Sequence, residues 1–168
     1  MPGHRALAFL AVLLTALALV PAGAHLLALP NKLAMGREAY LAAQGAYAGW
    51  AMAGAFPIGA ILACLGLALR QAPPASPWPA LLAALLLAAG LAVFFHWTLP
   101  ANQATADWTR LPEAWETLRA QWEWSHAANA VLTFLAVCGD RRRAQPGSGI
   151  GPSGTGTSKP LSVTETRQ

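Results

Sequence analysis

Charge is scarce in this chain. Asp, Glu, Lys and Arg make up 11% of its 168 residues, where a soluble globular domain carries roughly 25%. With 55% of the residues hydrophobic, that shortage argues against a water-soluble domain and for a membrane protein. Seven acids stand against eleven basic residues for a net charge of +4. The basic residues gather only at Arg141, Arg142 and Arg143. A short run beside an apolar segment reads as a membrane-orientation signal, not a nucleic-acid patch. Cysteine is nearly absent: Cys64 and Cys138 lie in separate apolar stretches, a spacing that excludes a metal knuckle or a dithiol pair and suggests two buried thiols. No glycine-rich phosphate loop follows a strand, and no G-x-S-x-G motif occurs.

What is present is a series of long apolar segments. No charged residue occurs from Ala6 to Leu29, enough for a helix ~36 Å long, which spans a bilayer. A second uncharged stretch ends at Arg70, with its most continuous apolar part from residue 46. The proline-rich connector "QAPPASPWP", residues 71–79, cannot remain helical. A third helix follows and runs to Leu99, where "LPAN" breaks it. A fourth starts near Pro112 as an amphipathic segment and continues into the membrane after Glu123. The expectation is an all-α integral membrane bundle of four up-and-down helices, residues 6–29, 46–69, 80–99 and 112–139, in one domain of residues 1–143. Residues 144–168, rich in Gly, Ser, Thr and Pro, have little to bury and are expected to be disordered.

Counting basic residues near the helix ends sets the orientation. Arg5, Arg70 and the Arg141–Arg143 run fall on one side, against Lys32, Arg37, Arg110 and Arg119 on the other. Both termini are therefore expected in the cytoplasm, with the protein in the plasma membrane and the lipid bilayer as its first partner. The first segment also carries Ala22-Gly23-Ala24, a signal-peptidase pattern. Its apolar run continues past that site, so an uncleaved helix is the expectation.

Two stretches repeat a pattern: "HLLALPN", residues 25–31, and "HWTLPAN", residues 96–102. They are the exits of helices one and three, where Pro30 and Pro100 should end the helix and Asn31 and Asn102 should bond the carbonyls left unpaired. Neither role explains the histidines. His25, His96 and His126 fall near one face of the bundle, and a polar residue at membrane depth is a functional candidate. Trp108, Trp115 and Trp122 recur at heptad spacing, as an interfacial belt or as one wall of a pocket for a flat aromatic ligand. Glu116, Arg119 and Glu123 share another face at ion-pair spacing.

Glu123 and His126 have the E-x-x-H spacing of carboxylate-bridged di-iron bundles, yet the first three segments offer no acid from their apolar cores. A mononuclear site of the three histidines has no supporting H-x-H or C-x-x-C spacing. No metal and no cofactor is therefore assigned.

"TLPANQATADW", "WETLRAQWEWSHAANAVL" and "LPNKLA" together resemble the four-helix membrane family catalogued as domain of unknown function 1772, the anthrone oxygenase-like family. The resemblance covers roughly residues 6–139. It implies oxidation of anthrones to anthraquinones without a recognised metal or flavin, and so a lipophilic polycyclic or quinol-like substrate. On that reading His126 or His96 is the base, Glu123 supports His126, and Asn31 and Asn102 donate to the enolate oxygen. His25, Trp108, Trp115, Trp122 and Asn129 complete the candidate substrate site. The family pattern carries an arginine where this chain has Asn129, so a fixed charge for an anionic substrate is missing there. A non-enzymatic accessory protein is the alternative, with His and Asn only satisfying helix ends.

Overall fold

The computed structural model describes residues 2–144. The expected tail from residue 145 onward, and the side chains of the Arg141–Arg143 run, lie outside the described residues. Among the described residues six α-helices form: α1 (Pro2–Ala34), α2 (Arg37–Gln44), α3 (Ala55–Leu69), α4 (Trp78–Val93), α5 (Leu99–Thr105) and α6 (Trp115–Ala144). Two 3-10 turns, Gly45–Tyr47 and Trp50–Gly54, join α2 to α3, and a π turn, Phe94–Thr98, joins α4 to α5.

The long helices close into a ring in which α1 and α4 each pack against both α3 and α6. Their contacts run in opposite directions along neighbouring axes. Gly59 and Gly66 of α3 face Leu14 and Leu7 of α1, and Gly3 faces Arg70. Trp97 and Thr98 meet Gln121 and Ser125 of α6, while Gly90, earlier in α4, meets Asn129, later in α6. The bundle is therefore up-and-down, and its architecture is all-α.

The core is built from small residues. Ala11, Ala60, Ala63, Cys64, Ala83, Ala84, Leu87 and Ala136 form one buried cluster, whereas Phe9, Val20, Leu27, Leu62, Leu69 and Leu85 point outward. Large apolar side chains outside and alanines between helices invert the soluble pattern. In lipid, association depends on close backbone approach. Three stretches, Gly3–Ala34, Trp50–Leu69 and Trp78–Ala104, are long and apolar enough to cross a membrane.

Several expected boundaries are corrected. Pro30 and Asn31 do not end α1, which continues to Ala34. Each proline removes one intrahelical bond, but tertiary contacts of Lys32 hold the last turn in place. Pro100 does not end the third segment either, because the helix widens first: the Leu99 amide bonds the Phe94 carbonyl, five residues back, across the π turn. That turn absorbs the missing Pro100 amide, and the Gln121 side chain donates to the Trp97 carbonyl at 2.8 Å. The second apolar stretch able to span starts at Trp50 rather than residue 46, its first turn 3-10, and α6 starts at Trp115 after a turn in which its amide bonds the Pro112 carbonyl. Cys64 is buried as expected, but Cys138 is exposed.

After α5 the backbone passes through three left-handed residues in succession, Ala106, Asp107 and Trp108, with φ of 49°, 54° and 61°. Each costs roughly 1–2 kcal/mol for a residue with a Cβ. The reversal turns Trp108 back into the bundle, where it is buried.

Gly90 marks a tight approach of α4 to α6, since a Cβ there would collide with Asn129 Oδ1. Gly90→Ala forces the Asn129 side-chain end to turn aside, an overpacking cost set against the roughly 1 kcal/mol that alanine gains over glycine inside a helix. Gly90→Ala/Asn129→Ala removes the obstruction and should be more stable than Gly90→Ala alone. Thermal unfolding in detergent checks this, and equal stability of the two variants would contradict the contact.

Candidate functional site

One end of the bundle gathers nearly all the buried polar and aromatic groups. At its centre is Lys32, in the last turn of α1 and 2% exposed. Its ammonium lies 2.8 Å from Glu123 Oε1, 3.4 Å from His25 Nδ1, and 4.7 Å from the ring centres of both Tyr47 and Trp122. Glu123 is fully buried. An ion pair removed from water costs several kcal/mol in desolvation for each charge, so it survives only with good geometry and further bonds.

Those further bonds come from α2. The Tyr40 hydroxyl donates to Glu123 Oε1 at 3.0 Å, and the Gln44 amide donates to the Tyr40 oxygen at 2.6 Å. Tyr40 and Gln44 are one helical turn apart, so both face the bundle. Burial, and then the adjacent Glu123 carboxylate, push the Tyr40 phenol far above its ordinary range. It therefore stays protonated and acts as a donor. Tyr47 is raised by the same two causes. The other carboxylate oxygen, Glu123 Oε2, and Gln44 Oε1 are buried with no hydrogen-bond partner among the described residues.

Beside the ion pair the imidazoles of His25 and His126 stack with centroids 4.2 Å apart. Trp122 closes on both, 4.9 Å from His25 and 4.1 Å from His126. Tyr47 and Trp50, on the 3-10 turns, cover His25 from the other side at 4.4 and 5.8 Å. The segment carrying them contains Gly49, which adopts a left-handed φ of 83°.

Trp122 is held by Asn102, whose Oδ1 accepts the Trp122 indole N–H at 2.7 Å and the Trp108 indole N–H at 3.0 Å. Asn102 thus links two rings and does not serve as the expected cap of a helix end. Trp108, Trp115 and Trp122 meet in one cluster with Tyr40 and Ala101, as expected of a wall, though Trp108 comes from the left-handed turn and not from the α6 stripe. Arg119 does not pair with Glu123. It donates to the Met35 carbonyl at 2.6 Å, with its guanidinium 4.6 Å from the Trp115 ring.

The structure therefore unites His25, His126, Glu123, Asn102, Trp108, Trp115 and Trp122, and leaves three expected residues elsewhere. His96 is exposed, its ring against Trp97 on the outer surface, because the π turn rotates it away from α6. Asn31 is exposed on α1. Asn129 lies deeper along α6, against Gly90. Glu123 does not reach back to His126 as expected, since Lys32 and Tyr40 take its Oε1. No group of three His, Cys, Asp or Glu side chains able to hold a metal ion occurs among the described residues.

Sequence reasoning missed Lys32, Tyr40, Gln44 and Tyr47. In the sequence Lys32 stands as a flanking charge and a member of the LPNKLA motif, three residues past the end of the uncharged run at Leu29, and no nearby acid marks its partner. No family model matches the chain, and no curated protein and no solved structure is significantly similar to it.

Proposed function

We propose that the chain is an integral membrane oxidoreductase that removes a proton from a lipophilic hydroxyaromatic or quinol-like molecule and lets the resulting anion react with oxygen. The observation that carries this reading is the His25–His126 stack, enclosed by Trp122, Tyr47 and Trp50 and set against a buried Lys32–Glu123 pair. His126 is partly exposed, while His25 and Glu123 are buried, and His126 is the base in this proposal. For an anthrone, the substrate class implied by the resemblance, a ring C–H bond breaks and its proton goes to His126. The enolate carbon then adds oxygen to form a hydroperoxide, which loses water and leaves the carbonyl. One oxygen molecule is consumed and one water released for each quinone formed. Aromatic walls exclude water and stack on a flat ring system.

His126→Ala is expected to abolish oxygen consumption with an anthrone while changing the melting temperature little. A second reading, a non-enzymatic interaction protein, is favoured by one observation: clefts of about 400 and 500 Å3 lie elsewhere, beside Arg70 and beside His96. On that reading the same substitution lowers stability by about 1–3 kcal/mol, through the lost ring contacts with His25 and Trp122. Oxygen-electrode and melting measurements on one preparation separate the two. A stable variant with full activity contradicts both.

The membrane arrangement belongs to the same proposal: four spans, with α6 as the fourth, both termini in the cytoplasm, and the plasma membrane as location. Cysteines introduced at Ser76 and at Thr109, in a chain with Cys64 and Cys138 replaced, should label from opposite sides. Labelling from the same side would refute the topology.

A further inference from the structure

We infer that Lys32 is the binding partner of an anionic ligand oxygen, and that Glu123 occupies Lys32 only while the site is empty. The inference rests on the functional reading above and supplies the fixed positive charge that position 129, an asparagine, does not.

Among the described residues Lys32 is the one buried cation within contact of the histidine stack, 3.4 Å from His25 Nδ1. Its ammonium lies over the faces of Tyr47 and Trp122, the same rings that wall the imidazoles. A ligand oxygen that takes the place of Glu123 Oε1 at the ammonium lies beside the same rings. The hand-over is also prepared on the acid's side. Glu123 Oε1 receives Tyr40 as well as Lys32, and Tyr40 is fixed in turn by Gln44. When Lys32 turns toward a ligand, Glu123 keeps the Tyr40 bond but gives up its counter-charge, a desolvation cost that the ligand's own bond to Lys32 has to offset.

Charge is conserved in this exchange. The ligand's C–H or O–H bond breaks heterolytically and the proton passes to a ring nitrogen of His126. The electron pair remains with the ligand and its negative charge settles on oxygen, which accepts a Lys32 N–H. Lys32 then has one anion as its close partner, as before. A buried cation without an anion would be far costlier, which is why the empty site holds Glu123 in that position.

Competition between Glu123 and the ligand gives a test independent of turnover. The probe is 1,8-dihydroxyanthraquinone, whose ionisation shifts its absorbance to the red and whose binding near Trp122 quenches tryptophan fluorescence. Glu123→Gln keeps a hydrogen-bond acceptor for Tyr40 but removes the rival charge. It should bind the probe anion at least roughly tenfold more tightly than the parent, as expected for a charge-assisted bond released from competition. Lys32→Met/Glu123→Gln differs from that variant only at Lys32 and lacks both charges. It should still quench, with the red-shifted band lost.

Folding is followed by circular dichroism, and Lys32→Gln in the Glu123→Gln background replaces the double variant should methionine not be tolerated. Equal anion binding with and without Lys32 would overturn the assignment, as would no gain on Glu123→Gln. If neither the parent nor Glu123→Gln quenches, the functional reading itself fails. That outcome is distinct from binding that ignores Lys32.

Discussion

Lys32→Met alone is expected to destabilise the folded protein by about 3–5 kcal/mol, the range found when one member of a buried ion pair is removed. Glu123 would be left fully buried, with one oxygen already unpartnered and the other served by Tyr40 alone. Lys32→Met/Glu123→Gln should recover most of the loss, because methionine fills the volume of the lysine stem and glutamine carries no charge. Replacing both charges of a buried pair is often neutral or stabilising. The comparison is made by thermal unfolding in detergent, followed by tryptophan fluorescence. A single variant as stable as its parent would mean that water reaches Glu123. A double variant no better than the single would mean that Lys32 acts through packing and not through its charge.

That pair also marks the limit of what the sequence discloses. The three stretches long and apolar enough to span were visible from the spacing of charges alone, since a bilayer imposes length and apolarity on each helix. The direction a side chain faces was not visible. Segments such as residues 80–93 are apolar all round, so no amphipathic stripe tells which face meets another helix, and His96 was placed with His25 and His126 although it points outward. Glycine at 90 gives a partial clue in retrospect, because α6 approaches there. Proline was over-read. Pro30 and Pro100 lack an amide, but whether a helix stops depends on what holds the next turn, and partners of the residues beyond them, Glu123 for Lys32 and the Trp122 indole for Asn102, lie far away in sequence. The E-x-x-H spacing correctly brought Glu123 and His126 near each other. It could not reveal that the carboxylate turns to α1 and α2, because that choice is made by Lys32 and Tyr40 through the tertiary fold.

Asn102→Leu is expected to produce the second large loss, because one side-chain oxygen serves two indoles. Leucine nearly matches asparagine in shape but accepts nothing, so the N–H groups of Trp108 and Trp122 both lose their partner. Both rings are buried, at 6% and 4% exposure, and an unsatisfied buried donor costs about 1–3 kcal/mol. The total should therefore approach 2–6 kcal/mol unless water enters or a ring turns outward. Trp108 is the ring with freedom to leave. It follows the left-handed turn at Ala106 and Asp107, whose backbone strain its burial helps to offset, so losing its anchor favours relaxation of residues 106–108. Trp122 sits on the rigid part of α6 against His25, His126 and Lys32 and is expected to stay. Trp108→Phe separates the two contributions. In the parent it removes one donor and should cost about 1 kcal/mol. In the Asn102→Leu background it removes an orphaned donor, so the added cost should vanish or change sign, giving a coupling energy of about 1–3 kcal/mol between the two positions. Unfolding midpoints of the four proteins measure the cycle. Additive losses would show that Asn102 does not hold Trp108, and that the turn after α5 is fixed by the Trp108 amide's bond to Thr105 Oγ1 at 3.1 Å and by the backbone.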